Sequence, residues 1–387
     1  MRIAIVGPGF TGASLPLAQH IQMKGNEVDC YYLTRIGLDS IESLDFSVPL
    51  SRKQKEMKIS LSNNVYKYLN SSINVYIEPI YKLHLWFEKY LLWYIPRWAN
   101  RIRIKGFLQR LLSRKYDSVI LIDHFDDEQI ARTLAKKNVR FIITFHEVLK
   151  IQTGKPLLRN NIIPSLQLKR PTVLHSNKVK NDLFQFSEIE SESNRIFVIP
   201  FGPFESFLQY GKGKCVSEAG ENFFLCLGSI TTYKGLDILY DAIERIHCQN
   251  IKIVVAGKGF VHELEVMKKN KKYIIINRFI SNDEVVWLVR NCRAVLCPYV
   301  AASQSGLVPL AMAFNKPVIA NRVGAFPEYI EDGVNGYLSE SISGEGFAET
   351  INRFFIDEQN FNGKVIPQYL NWDYISNQMI NLLNKNE

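Results

Sequence analysis

The stretch FFLCLGSITTYKGLDILYDAI, residues 223–243, reads as a short apolar run, a turn of small and polar residues, and a helix. An uninterrupted apolar run of this length suits a strand buried on both faces of a parallel sheet. The same alternation continues downstream in KIVVAG (252–257), YIIINRF (273–279), the helix NDEVVWLVRN (282–291), AVLCPY (294–299), the helix GLVPLAMAF (306–314) and PVIA (317–320). It also runs upstream, through RIAIVG (2–7), LPLAQHIQMKG (15–25), EVDCYYL (27–33), SVILID (118–123), a helical stretch over 128–137 and RFIITF (140–145). Strands alternating with helices predict an α/β protein with parallel sheets covered on both faces. The apolar signal lapses around Ser191–Asn194 and resumes at RIFVIPFGPFESF, so two Rossmann-like, doubly wound domains are expected, 1–195 and 196–365.

Bulk properties agree with such a chain. Its 387 residues exceed one ordinary core, and 47% apolar with 22% charged residues is the balance of a soluble globular protein. No run approaches the roughly 18 apolar residues of a membrane span, and the opening residues do not form a secretory signal. Cys30, Cys215, Cys226, Cys248, Cys292 and Cys297 show no C-x-x-C spacing, which predicts reduced thiols and neither a zinc site nor a redox pair. The formal charge of +9 suits an anionic partner.

Gly7, Gly9 and Gly12 in MRIAIVGPGFTGAS spell G-x-G-x-x-G between a strand and a helix, as a dinucleotide turn requires. Such a site also needs an acid at the end of the second strand to hold the ribose. That strand ends in Thr34 and Arg35, while Glu27 and Asp29 come too early. An NADP site using Arg35 stays open. The alternative is a turn whose glycines let backbone approach another ligand.

Two turns point to phosphate. In SITTYKG, Lys234 places a cation just before a helix; in AASQSG, Ser303, Gln304 and Ser305 offer donors and Gly306 permits close backbone approach. Helix N-termini favour anions through free N–H groups and the dipole. Either turn alone is an ordinary strand-to-helix connection. Two in one domain suggest a diphosphate gripped from both sides.

These residues resemble a known family, the large retaining GT-B-fold glycosyltransferases often labelled "glycosyl transferases group 1". Its patterns G-R-x-x-x-x-K-G, P-Y-x-x-A-S-Q-S-G, K-P-V-I-A-x-x-V-G-x-x-P-E and x-x-G-x-x-G-x-L correspond to Gly228–Gly235, Pro298–Gly306, Lys316–Glu328 and Gly333–Leu338. The resemblance is dense over 196–340 and thin elsewhere. It implies a transferase moving a sugar from a nucleotide-sugar donor, UDP- or GDP-linked, to a glycan or glycolipid acceptor in surface polysaccharide synthesis, with retention and without metal or cofactor. Two domains would face a central cleft. Donor contacts fall on Gly12, Gly228, Ser229, Lys234, Ser303, Gln304, Ser305, Gly306 and Leu307, with Lys234 also serving catalysis. His146 in TFHE matches a histidine beside the reacting sugar; His124 is the weaker candidate. The C-terminal helix, within 366–387, would cross back to the N-terminal domain.

Three positions depart from the pattern. Its arginine is Ser229 here, and its two glutamates around the donor loop are absent, since no acid occurs between Glu284 and Glu328. Each missing charged hydrogen bond forgoes about 1.5–3 kcal/mol. A non-catalytic partner of an active relative is therefore the rival reading. Finally, residues 83–116 interleave Trp86, Trp93, Tyr94 and Trp98 with Arg97, Arg101, Arg103, Lys105, Arg110, Arg114 and Lys115. A basic helix with tryptophans suits an anionic membrane surface; helices packing aromatic faces into a core are the alternative, and no nucleic-acid partner is expected. The expected location is cytoplasmic, with peripheral attachment to the inner face of the membrane.

Overall fold

The computed structural model describes residues 1–35, 40–41, 44–45, 56–60, 63–80, 94–122, 129–150, 157–187, 194–248, 250–358 and 366–385. The chain divides into two units. One takes in Met1–His175, Val179–Pro200 and Trp372–Glu387; the other takes in Ser176–Lys178 and Phe201–Asn371.

The first unit is built on a sheet whose strands run in the spatial order Ile196–Val198, Thr172–Leu174, Arg140–Phe145, Ser118–Ile122, Arg2–Gly7, Glu27–Arg35, Asn74–Ile80 and Met57–Lys58. All pairs are parallel except the last, which is antiparallel. The central strands are buried end to end, as their apolar runs require. RIFV was expected to open the second domain. Instead Thr172 pairs with Ile196 and the strand completes the first sheet, so the second unit starts at Phe201 rather than 196 and ends at Asn371 rather than 365. A polar lapse marks any exposed connection, not only a domain boundary.

Helix Trp372–Asn384 belongs to the first unit and packs on helix Thr11–Met23. Lys24 Nζ lies 3.2 Å from Asp373 Oδ1, and the His20 and Trp372 rings stack at 6.3 Å. Helix Tyr94–Ser113 sends Ile104, Phe107, Leu108 and Leu111 into the core and leaves Arg101, Ile102, Lys105 and Gln109 exposed. One face of the basic segment is therefore core. Trp86 and Trp93 lie outside the described residues, as do the side chains of Tyr94, Arg97 and Trp98. Among the described residues no helix is long and apolar enough to cross a membrane.

The second unit carries an all-parallel sheet in the order Tyr273–Ile276, Lys252–Ala256, Phe223–Leu227, Val295–Cys297, Val318–Asn321 and Gly336–Ser339. Chain order runs one way from Phe223–Leu227 and the other way from Val295–Cys297. These two strands are neighbours, with Leu225 opposite Val295. Between them lies the topological switch point, where connections leave toward opposite faces and a crevice opens beyond the carboxyl ends. The two phosphate-type turns, 228–235 and 298–306, are the turns that leave these strands. Their backbones touch: Val300 N donates to Tyr233 O at 3.0 Å.

That closeness requires glycine at 235. Its φ is +68°, and a Cβ there would sit 1.9 Å from the Pro298 carbonyl oxygen. Gly235→Ala should therefore destabilise the protein by about 3 kcal/mol or more, combining backbone strain with a forced shift of the neighbouring turn. Gly333→Ala is the control. Its φ of +76° carries similar strain, but a Cβ there meets nothing within 4 Å, so about 1–2 kcal/mol is expected. Urea unfolding of the two variants checks the difference; equal losses would remove the close-approach argument.

Candidate functional site

The crevice beyond strands Phe223–Leu227 and Val295–Cys297 holds a pocket of about 280 Å³, open solvent included. Gly228, Ser229, Lys234 and Tyr299 line it together with Cys226, Val255 and Leu296. Lys234 is the sole charged side chain among the described residues that line it. A short 3-10 turn, Thr232–Lys234, brings this lysine back over the strand end, and Gly235 in the left-handed region then starts helix Leu236–Ala242.

Lys234 Nζ donates to the Tyr299 hydroxyl and lies 4.2 Å from the centre of the Tyr299 ring. Gly228 leaves room beside it: a Cβ at 228 would come within 3.4 Å of Nζ. Burial disfavours the ammonium and lowers the lysine's pKa from its usual value, opposed by the neighbouring Cys297 and Cys226 thiols. Those thiols are themselves pushed up by burial, Cys297 to about 12. Burial likewise raises the Tyr299 hydroxyl well above its ordinary range, so it stays protonated. An incoming dianion would offset the cost of keeping the ammonium charged.

Both turns also hold unused polar atoms. Ser303 Oγ and Thr231 Oγ1 are buried without a hydrogen-bond partner. The Gln304 amide approaches the Tyr329 hydroxyl without a well-formed bond. Each unmet group costs about 1–3 kcal/mol unless a ligand or water meets it. Ser305 Oγ is engaged, accepting from Leu307 N at 3.3 Å, so the Leu307 amide already has a partner. Gly306 is exposed ahead of helix Leu307–Ala313. Ser229, at the position of the family's arginine, is exposed at the pocket mouth.

The acids that bracket the acid-free stretch are both committed elsewhere. Glu284 closes a capping box with Ser281 at the start of helix Asn282–Asn291 and accepts from Arg278 Nη1 at 3.0 Å. Arg278 is the main reason its pKa falls to about 2, with the Ser281 bonds adding to it. Glu328 accepts from Asn177 N at 2.6 Å and Lys178 N at 2.8 Å. Neither stands in for the missing glutamates.

In the first unit the turn after strand Arg2–Gly7 differs from its sequence reading. Gly12 is the second residue of helix Thr11–Met23 and is buried, so it belongs to the helix and not to the turn. The positive φ angles fall at Gly9, +141°, and at Phe10, +57°. A phenylalanine in that region costs about 1–2 kcal/mol. Here it stacks on His146, centroids 5.1 Å apart and planes 14° from parallel. His146 follows strand Arg140–Phe145; His124 lies outside the described residues. Asp29, the early acid, is used inside the fold, accepting from Asn74 Nδ2 at 2.7 Å and from the Tyr116 hydroxyl.

Sequence reasoning missed Phe10 and Thr231 altogether and saw Tyr299 only as a motif letter. No sequence signal marks a non-glycine residue with positive φ. The interaction of Tyr299 with Lys234 follows from strand adjacency, which needs the sheet order.

Comparison with known proteins agrees with this geometry. The family described as glycosyl transferases group 1 matches residues 221–357. An uncharacterized glycosyltransferase of Methanocaldococcus jannaschii is 32% identical over 244 residues, 60% of this chain and 66% of that protein, just under two thirds of its length. The O-antigen chain mannosyltransferase C of Escherichia coli is 23% identical over 266 residues, 66% of this chain and 70% of its own. Among solved structures, Anabaena HepE, crystallised with UDP and glucose, superposes with a TM-score of 0.60 at 16% identity, covering 99% of each chain. That likeness is one of fold. Residues 221–357 thus match the glycosyl transferases group 1 family, and the chain is similar to named glycosyltransferases.

Proposed function

We propose that this protein transfers a sugar from a UDP- or GDP-linked donor to a glycan or glycolipid acceptor in surface polysaccharide synthesis, with retention and without metal or cofactor. The observation that carries the reading is the largely buried Lys234 ammonium, bonded to the Tyr299 hydroxyl in the pocket beyond the two switch-point strands. The bond from the anomeric carbon to the diphosphate oxygen breaks, and the acceptor hydroxyl bonds to that carbon and gives up its proton to the departing diphosphate. Negative charge grows on the departing diphosphate, where Lys234 and the 303–306 turn are already in place. Stabilisation that is ready before charge develops is the largest source of catalysis in such transfers. By the family resemblance His146 serves the sugar or acceptor. The likeness to mannosyl transfer onto O-antigen and to a UDP-binding structure supports both the acceptor class and the choice of donor.

The non-catalytic reading has its own observation. Ser229 removes one cation, and Glu284 and Glu328 are tied to backbone, so no carboxylate replaces the family pair. Release of nucleoside diphosphate from UDP- and GDP-sugars, measured with undecaprenyl-linked and oligosaccharide acceptors, separates the two. Turnover supports the transferase; donor binding without turnover supports the partner protein.

Lys234→Ala should weaken UDP or GDP binding about 10- to 100-fold by calorimetry, the loss of one charge-assisted contact. Ser229→Arg should tighten it about 5- to 10-fold by restoring the missing cation. Unchanged affinity in both would place the diphosphate elsewhere.

We also infer peripheral attachment to an anionic membrane through the outward face of helix Tyr94–Ser113, where Arg101 and Lys105 are exposed. Each basic residue near such a surface contributes about 1 kcal/mol. Arg101→Ala with Lys105→Ala should therefore cut co-sedimentation with phosphatidylglycerol vesicles about tenfold or more. Equal sedimentation of variant and parent would remove the membrane from the account.

A further inference from the structure

Tyr299 occupies an unusual place in this pocket. It is 3% exposed, wedged between Tyr233 and Phe326, and its backbone carbonyl accepts from the buried Asn321 Nδ2 at 3.1 Å. Its ring and backbone are thus fixed, and Tyr299 lines the pocket. There it accepts from Lys234 Nζ on the first turn and shares a hydrogen bond with the Ser305 hydroxyl on the second. Ser305 in turn accepts from Leu307 N. A continuous chain therefore runs from the cation through one phenol to the start of helix Leu307–Ala313.

We propose that Tyr299 is the positioning residue of the site, its hydroxyl aiming the Lys234 ammonium into the pocket and locking it to the 303–306 turn. The inference rests on the diphosphate reading above and names how the lone cation is held. A lysine has four rotatable bonds and, unlike arginine, presents no planar fork that fixes its own geometry. The family's arginine is absent at Ser229. A rigid acceptor behind the ammonium supplies the orientation that a second cation-bearing side chain would otherwise share. The phenol cannot itself neutralise the lysine, because burial keeps it protonated. It favours the charged form by accepting one hydrogen bond while two N–H donors remain for a ligand.

The titratable groups facing Lys234 are the Cys226 thiol from strand Phe223–Leu227, the Cys297 thiol from strand Val295–Cys297, and the Tyr233 and Tyr299 phenols. No carboxylate lines the pocket among the described residues. The sign of the test follows. Burial already lowers the lysine's pKa. Removing the hydroxyl takes away a bond made to the charged form, so the neutral amine must appear at still lower pH. Tyr299→Phe changes nothing else in shape.

The first readout needs no nucleotide. Acylation of Lys234 by acetic anhydride, followed by peptide mass spectrometry from pH 6 to 11, reports the neutral amine directly. Its midpoint should fall by about half a unit to one unit in Tyr299→Phe, and in the same direction but less in Ser305→Ala. The Ser305 variant keeps the question answerable should Tyr299→Phe fold poorly. An unmoved midpoint in the folded variants overturns the proposal, because a merely packed ring would leave it unmoved.

The second readout is a double-mutant cycle on UDP and GDP affinity. Tyr299→Phe should weaken binding about fivefold in the parent and leave it unchanged when Lys234 is already alanine. Equal losses in both backgrounds would mean that Tyr299 acts independently of the lysine and would overturn the proposal. If Lys234→Ala alone leaves affinity intact, the diphosphate reading fails, and the acylation midpoints still decide whether Tyr299 holds the lysine.

Discussion

Holding an ammonium ion largely out of water at the carboxyl end of a parallel sheet is the constraint on which the second unit is organised. Burial disfavours the charged lysine, so the fold must surround it with acceptors that carry no net charge. The surroundings of Lys234 fit this description: one phenol oxygen, two thiols held protonated by burial, and a glycine at 228 that brings no side chain against the ammonium. A carboxylate in the same place would settle the lysine but would also cancel the field that attracts an anion. The pocket keeps its cation available by leaving it poorly compensated.

The same logic gives the acid-free stretch a physical meaning. Glu284 and Glu328, which bracket it, each accept backbone N–H bonds at a helix start, and Glu284 gains an arginine as well. Charge-assisted caps of this kind contribute about 1 kcal/mol each to helix stability. Both carboxylates are therefore anchored by groups that a donor could displace only at the expense of the fold. What the pocket offers a ligand is cationic and hydroxylic: Lys234, Ser229 and Tyr299. Such a set discriminates for phosphate oxygens far more than for sugar hydroxyls, which are equally well served by water.

Most of the second unit was legible because its strands are buried on both faces and its turns carry distinctive residues. FFLCL, KIVVA and YIII form strands where their apolar runs stand, and NDEVVWLVRN is helix from its first residue to its last. Strand Gly336–Ser339 escaped notice as a strand because GYLS is short and lies inside a motif read for its glycines. The first unit was less legible. Strand Thr172–Leu174 has only three residues, and strand Asn74–Ile80 carries a glutamate and a proline that blur its pattern. Glu78 is tolerated there because Arg110 meets it, a partner thirty-two residues away that no local window contains. At the site, Lys234 and the serines could be found from composition and spacing. Tyr299 and Phe10 could not, since one depends on which strands are neighbours and the other on a backbone angle.

The two units also show why topology alone does not assign chemistry. Both are sheets of mainly parallel strands with a glycine-bearing turn leaving a central strand for a helix, and by sheet order each has a switch point. Yet GPGFTG, the turn region of the first, contains no charged residue, and its two positive-φ residues bring an aromatic ring onto an imidazole. SITTYKG, the turn of the second, places a lysine against a phenol. A buried ammonium among hydroxyls suits an anion. One scaffold thus carries two chemically unlike turns, and the difference lies in the turn side chains rather than in the strands that carry them.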